Sequence, residues 1–238
     1  MNSLIALTKK EFGQYFHTPI AFIFIVVFLT AANWLFFQNY FLVGQASLRN
    51  WFEFLPWLLV FLIPALTMRL WAEEKKAGTI EALLTLPVTE TTVVAGKFLG
   101  SILFYLVCLA FSLPLVAIVA NTGSLDFGQV VGQYLGAFLL GAGLISVGLF
   151  ISCLTSNQIV AFIGAAAACF VLIVLGSQMV QAIFPPAIAP YLNLIGFDAH
   201  YRNLGRGLID LRDVIFFLSA IGVFLYANIK NLESRFWQ

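Results

Sequence analysis

Charge is scarce in this chain. Only 10% of its 238 residues are Asp, Glu, Lys or Arg, against roughly a quarter in soluble globular domains, which excludes an ordinary solvated fold. The formal net charge of +1 gives no basis for nucleic-acid binding. The three cysteines, Cys108, Cys153 and Cys169, lie within or at the ends of apolar runs and lack metal-ligand spacing, which excludes a zinc site and makes a disulfide framework improbable. The two histidines, His17 and His200, are far apart, and no Ser/His/Asp or Cys/His constellation surrounds either. No phosphate-cradling GxxxxGK[ST] loop occurs, so ATP hydrolysis by this chain alone is not expected.

Apolar residues make up 61% of the chain, with 25 phenylalanines. They gather in six continuous runs, approximately Ile20 to Leu42, Phe54 to Leu70, Val93 to Val119, Val130 to Leu154, Ile159 to Phe184 and Val214 to Ile229. Each is near the roughly 20 residues that a helix needs to cross about 30 Å of hydrocarbon. Continuous runs rather than alternation favour helices over a barrel, because a helix satisfies its own backbone in lipid. The fold class expected is therefore all-α, a polytopic membrane protein with six transmembrane helices, here read as one domain over 1–238.

Residues 1–19 do not read as a signal peptide, since Pro19 and a long apolar run follow Lys9 and Lys10. On a helical wheel Leu4, Ile5, Phe12, Tyr15 and Phe16 share one side, Asn2, Ser3, Lys10 and Gln14 the other, and Glu11 is a misfit at the border. The pattern predicts an interfacial helix. With the N-terminus inside, Lys9, Lys10, Arg69, Lys75, Lys76, Lys97, Lys230 and Arg235 are cytoplasmic, and Arg49, Arg202, Arg206 and Arg212 are outside. Eight basic residues against four satisfies the positive-inside rule and puts both termini in the cytoplasm.

The segment from Glu73 to Thr89, between spans two and three, is then cytoplasmic. If helical, it sets Glu74, Gly78, Glu81 and Thr85 on one face and Ala77, Ile80, Leu83 and Leu84 on another, until Pro87 stops it. A solvated loop with some helical content is the plainer alternative. Small residues from Gly132 to Ser152 and from Gly164 to Ala168 let helix backbones approach closely. Pro56, Pro64 and Pro114 are candidate kinks. Asn33, at membrane depth in the first span, implies either an interhelical hydrogen bond or a polar pathway. The outside connection 185–213 is the longest. Its stretch from Pro190 to Phe197 is too short to cross the membrane and too apolar for a free loop, so ordered elements in the outer leaflet are expected. Asp198 and His200 are too few for a metal site.

These features together resemble the type-2 permeases of ATP-binding cassette (ABC) transporters. The loop Ala72 to Val88 reads AEEKKAGTIEALLTLPV, Gly96-Lys97 enters the third span, and Tyr201 to Asp213 reads YRNLGRGLIDLRD. The last of these is similar to the branch containing gliding-motility permeases and permeases for nitrous-oxide-reductase maturation. The resemblance implies an exporter subunit in a bacterial cytoplasmic membrane, paired with a second copy or a related permease. It also implies two copies of a separate ATPase that holds ATP and Mg, and no cofactor on this chain. It assigns Glu73, Glu74, Gly78, Thr79, Glu81 and Leu84 to a coupling helix at the ATPase interface, and Pro190, Leu194, Phe197 and Arg206 to an outer gate. The alternatives left open are an ATPase-driven scaffold that works on an outside partner and a channel that needs no ATP.

Overall fold

The computed structural model describes residues 2–43, 47–80, 88–123, 125–185, 188–207 and 210–235. Among them the chain forms helices joined by short turns, and no strand is present. The helices are α1 (Asn2–Phe16), α2 (Pro19–Val43), α3 (Arg49–Thr67), α4 (Arg69–Lys76), α5 (Glu90–Ala110), α6 (Leu113–Ala120), α7 (Phe127–Leu154), α8 (Gln158–Leu175), α9 (Gln178–Ile183), α10 (Ala189–Ile195), α11 (Phe197–Leu204) and α12 (Leu211–Arg235). Among the described residues six stretches are long and apolar enough to span a bilayer: Ala21–Gln38, Arg49–Lys76, Glu90–Ala120, Phe127–Leu154, Gln158–Leu175 and Leu211–Ser234.

The fourth of these, α7, is the axis of the bundle. Of its apolar window 78% is buried inside the protein, against 22% for α8 and 17% for α12. Its glycines explain how so many neighbours approach. Gly132 and Gly136 admit Leu204, Gly141 admits Tyr105, Gly143 admits Phe197, and Gly148 admits Thr67. Aromatic rings fill the space on the α1 side, where Tyr15 stacks on Phe104 at 4.8 Å and Phe24 meets the same ring edge-on at 5.5 Å.

Two of the expected spans are interrupted or shortened. The third span breaks at Phe111 and Ser112, where the Ser112 hydroxyl donates to Leu109 O at 2.7 Å and Pro114 opens α6. The fifth span ends at Leu175 rather than near Phe184. Gly176 N and Ser177 N bond back to Ile173 O and Val174 O, closing the helix, and α9 starts after an extended Ser177. Backbone meets backbone here: a Cβ on Gly196 would fall on the main chain of Gly176. That contact seats α10 and α11 directly on the end of α8.

Helix α1 lies across the start of α5. A Cβ on Gly96 would stand 2.9 Å from the Leu7 Cβ, and one on Gly100 would stand 2.7 Å from the Glu11 Cβ. This pair of glycines, one helical turn apart, forms the notch that receives α1.

Candidate functional site

The site is assembled around α4. At the end of α3 the Thr67 hydroxyl donates back to Ile63 O at 3.0 Å, and Met68 N donates to Pro64 O at 2.9 Å. The helix breaks at Met68 and restarts as α4. A restarting helix leaves orphan N–H groups, and a side chain from α7 takes them up. Ser152 Oγ accepts from Trp71 N at 3.2 Å and Ala72 N at 3.3 Å, and donates to Met68 O at 3.0 Å. One hydroxyl thereby uses both acceptor sites and its proton. Lys75 Nζ adds a bond to Cys153 O. Helix α4 is thus fastened to the end of α7.

Helix α4 also takes part in a buried charge triad. Lys97 Nζ of α5 donates to Glu74 Oε1 at 2.7 Å and to Glu11 Oε1 of α1 at 3.0 Å. It also sits 4.9 Å from the centre of the Trp71 ring. The side chains are 2% exposed for Lys97, 4% for Glu11 and 18% for Glu74. Charges this far from water persist only when closely paired. Beside the triad, the Ser101 hydroxyl donates to Lys97 O at 2.9 Å, so the Tyr15 hydroxyl is the donor in its own 2.9 Å bond with Ser101. Burial pushes the Tyr15 phenol up, which keeps it in that donor role.

Beyond the triad α4 ends abruptly. Ala77 N bonds to Glu73 O at 2.9 Å, Gly78 N to Lys75 O at 3.3 Å, and Gly78 adopts φ +70°. A left-handed residue after the last turn is a helix stop that glycine takes at least cost. Glu74 and Gly78 therefore do not share one face of a continuous helix, as the wheel had them. A cavity of about 630 Å³ opens between α1 and the α3–α4 junction, lined by the triad residues Glu11, Glu74 and Lys97 with Lys10, Arg69 and Glu73 around them.

Of the residues expected at a coupling interface, Glu73 is exposed and held by Arg69 in a two-pronged ion pair at 2.8 and 3.1 Å. Gly78 is exposed in the turn, and Thr79 is exposed where helical backbone resumes after it. Glu74 points inward to Lys97. Glu81 and Leu84 lie outside the described residues. At the other end of the bundle Pro190 opens α10, Leu194 is exposed on it, and Arg206 is exposed in the turn after α11. Phe197 is 2% exposed and packs between Phe216 and Phe217 at 5.6 and 5.5 Å. In α2 the Asn33 Oδ1 is buried with no hydrogen-bond partner among the described residues. No group of three or more His, Cys, Asp or Glu is arranged to hold a metal among them.

Lys97 and Glu11 were not among the expected site residues. The signal was present in both: Glu11 is the one charge that breaks the amphipathic pattern of α1, and Lys97 sits between two glycines at the head of an apolar run.

A family model described as ABC-2 family transporter protein matches residues 37–228. The chain belongs to the ABC-2 family. No curated protein matches it. The matched range includes Glu74 and Lys97 and leaves out Glu11. As an ABC-2 permease the chain is the membrane component of an ABC transporter, and the ATPase it works with is a separate subunit.

Proposed function

We propose that this permease couples ATP hydrolysis on its partner to export across a bacterial cytoplasmic membrane, with both termini on the ATPase side. Two ATPase copies, carrying ATP and Mg, dock against the segment from Glu73 to Thr89. A second permease, identical or related, completes the pathway. The observation that carries this reading is the bonding of α4. One short helix is tied to α7 through Ser152 and Lys75, and to α5 and α1 through Glu74, Lys97 and Glu11. A push on the segment that follows α4 is delivered to three other helices at once, which a solvated loop would not do.

In this reading Glu73, Gly78, Thr79, Glu81 and Leu84 meet the ATPase, and Glu74 acts behind them by holding α4 in place. Pro190, Leu194 and Arg206 border the outer gate, with Phe197 as its packed base. Asn33 offers its carbonyl oxygen, which has no partner among the described residues, to the pathway or to the second permease.

The test is gentle solubilisation from the native membrane, with identification and stoichiometry of what co-purifies. A roughly equimolar subunit with a phosphate-binding loop is expected, and it should be lost in Glu81→Arg. A permease that retains its ATPase and its nucleotide-dependent activity after both Glu81→Arg and Gly78→Trp would remove the coupling assignment.

A further inference from the structure

Gln133 and Ser152 of α7 are 19 residues apart, which puts the Gln133 end about 30 Å from α4. There a second cavity, of about 310 Å³, lies among α9, α10, α11 and the turn after α11. Its polar lining is Gln178, Asn193, His200, Arg202, Asn203 and Arg206. These are nitrogen-bearing side chains, and no carboxylate is among them.

The acids nearest the cavity stand behind the donors and orient them. Buried Asp213 Oδ1 is 2.6 Å from His200 Nδ1 and accepts from Asn203 Nδ2 at 3.4 Å. Asp198 Oδ2 is 3.3 Å from Arg202, whose guanidinium also donates to Gly176 O at 2.6 Å. Unlike Arg202, Arg206 forms no ion pair among the described residues. Its backbone is nonetheless fixed. Arg206 N donates to Asn203 O at 3.1 Å, and Gln133 Nε2 donates to Gly205 O at 3.4 Å. The turn also lies so close to α7 that a Cβ on Gly132 would stand 2.9 Å from Leu204 O. A guanidinium with no ion-pair partner among the described residues is therefore presented from a pinned turn, beside amide donors and an arginine already paired with Asp198.

We propose that this cavity binds an oxyanion of the phosphate class, with Arg206 supplying the charge and Asn203 and Gln178 flanking donors. A cation has no carboxylate to meet in the lining. A sugar has no open ring face to stack on, because the one ring in the lining, His200, is covered by Phe216 at 3.8 Å. The volume is at the low end of the roughly 300–1,000 Å³ of ligand clefts, which fits a phosphate or a lipid headgroup and not a large solute. Both sources present the same chemistry. The proposal does not depend on the ATPase reading, and each can fail without the other.

The experiment uses the full chain in neutral detergent, followed by its melting temperature during titration with inorganic phosphate, with ionic strength matched by sodium chloride. In parallel, the chain is placed in bilayer discs of phosphatidylcholine with and without phosphatidylglycerol. Arg206→Gln is the test variant, Arg206→Lys keeps the charge without the fork, and Arg212→Gln is a control at another exposed arginine. Saturable stabilisation by phosphate is expected. Arg206→Gln should raise its half-saturating concentration at least about tenfold, Arg206→Lys should fall between, and Arg212→Gln should change nothing. Stabilisation that appears only with phosphatidylglycerol and is lost in Arg206→Gln would identify the oxyanion as a lipid phosphate. Stabilisation by neither probe, or stabilisation undiminished in Arg206→Gln, overturns the proposal. Arg206 is exposed, and the melting temperature of its variants without ligand checks that they fold.

Discussion

Lys97 carries a full charge into a place from which water is nearly excluded, and what makes this tolerable is the company it keeps. Two carboxylate oxygens and an indole face surround one ammonium. Such an arrangement adds little net stability over well-packed apolar residues, but it is severe when broken, because the remaining charges stay buried. Lys97→Met should lower stability by about 3 kcal/mol, the typical cost of removing one partner of a buried pair. Adding Glu11→Gln and Glu74→Gln should recover much of that loss, since the stranded charges are then gone. Thermal melts of the single and combined variants in detergent read both effects. At this scale the sequence was only half legible. Glu11 registered as an off-pattern charge and Lys97 as a basic residue near a membrane face, but the pairing joins residues 86 positions apart, and spacing along the chain holds no record of it.

Helices were the most legible feature, because apolar runs of bilayer length leave few alternatives in lipid. Their ends were less so. The stop at Leu175 depends on Gly176 meeting Gly196, a contact made by a distant segment, and the restart at Met68 depends on a serine from α7. The end of α4 is written locally in one glycine, yet the helix drawn from Glu73 to Pro87 ran straight through it. A Cβ at Gly78 would meet nothing within 4 Å, so in the isolated chain a small side chain there probes conformation alone. Gly78→Ala should loosen the last turn by about 1 kcal/mol, which corresponds to about fivefold faster tryptic cleavage after Lys76. Gly78→Asn should behave closer to the parent, because asparagine enters the left-handed region more readily. Equal cleavage of the two variants would show that the left-handed turn does not hold the helix end.

Taken whole, the molecule is a bundle wound on α7 with a distinct structure at each end: the α1–α4–α5 charge triad at one, and the α9–α11 cup at the other. Its three native thiols sample that bundle from three helices, Cys108 on α5, Cys153 on α7 and Cys169 on α8, and all are fully buried. In the folded protein a maleimide should label none of them. On heating, all three should become reactive together if the bundle opens as one unit. Mass spectrometry of each cysteine peptide along a temperature series checks this. Cys169 reacting well before the others would mean that α8 detaches first.

The contact between Gly176 and Gly196 has a bearing on how this protein can be rebuilt. Two backbones share a space that no side chain can enter, so neither position can change without the other losing its fit. Where segments are exchanged with a related permease, positions 176 and 196 have to come from the same parent. A junction between α8 and α11 would bring together halves that were never fitted to each other, whereas a junction placed before α8 carries the matched pair across intact.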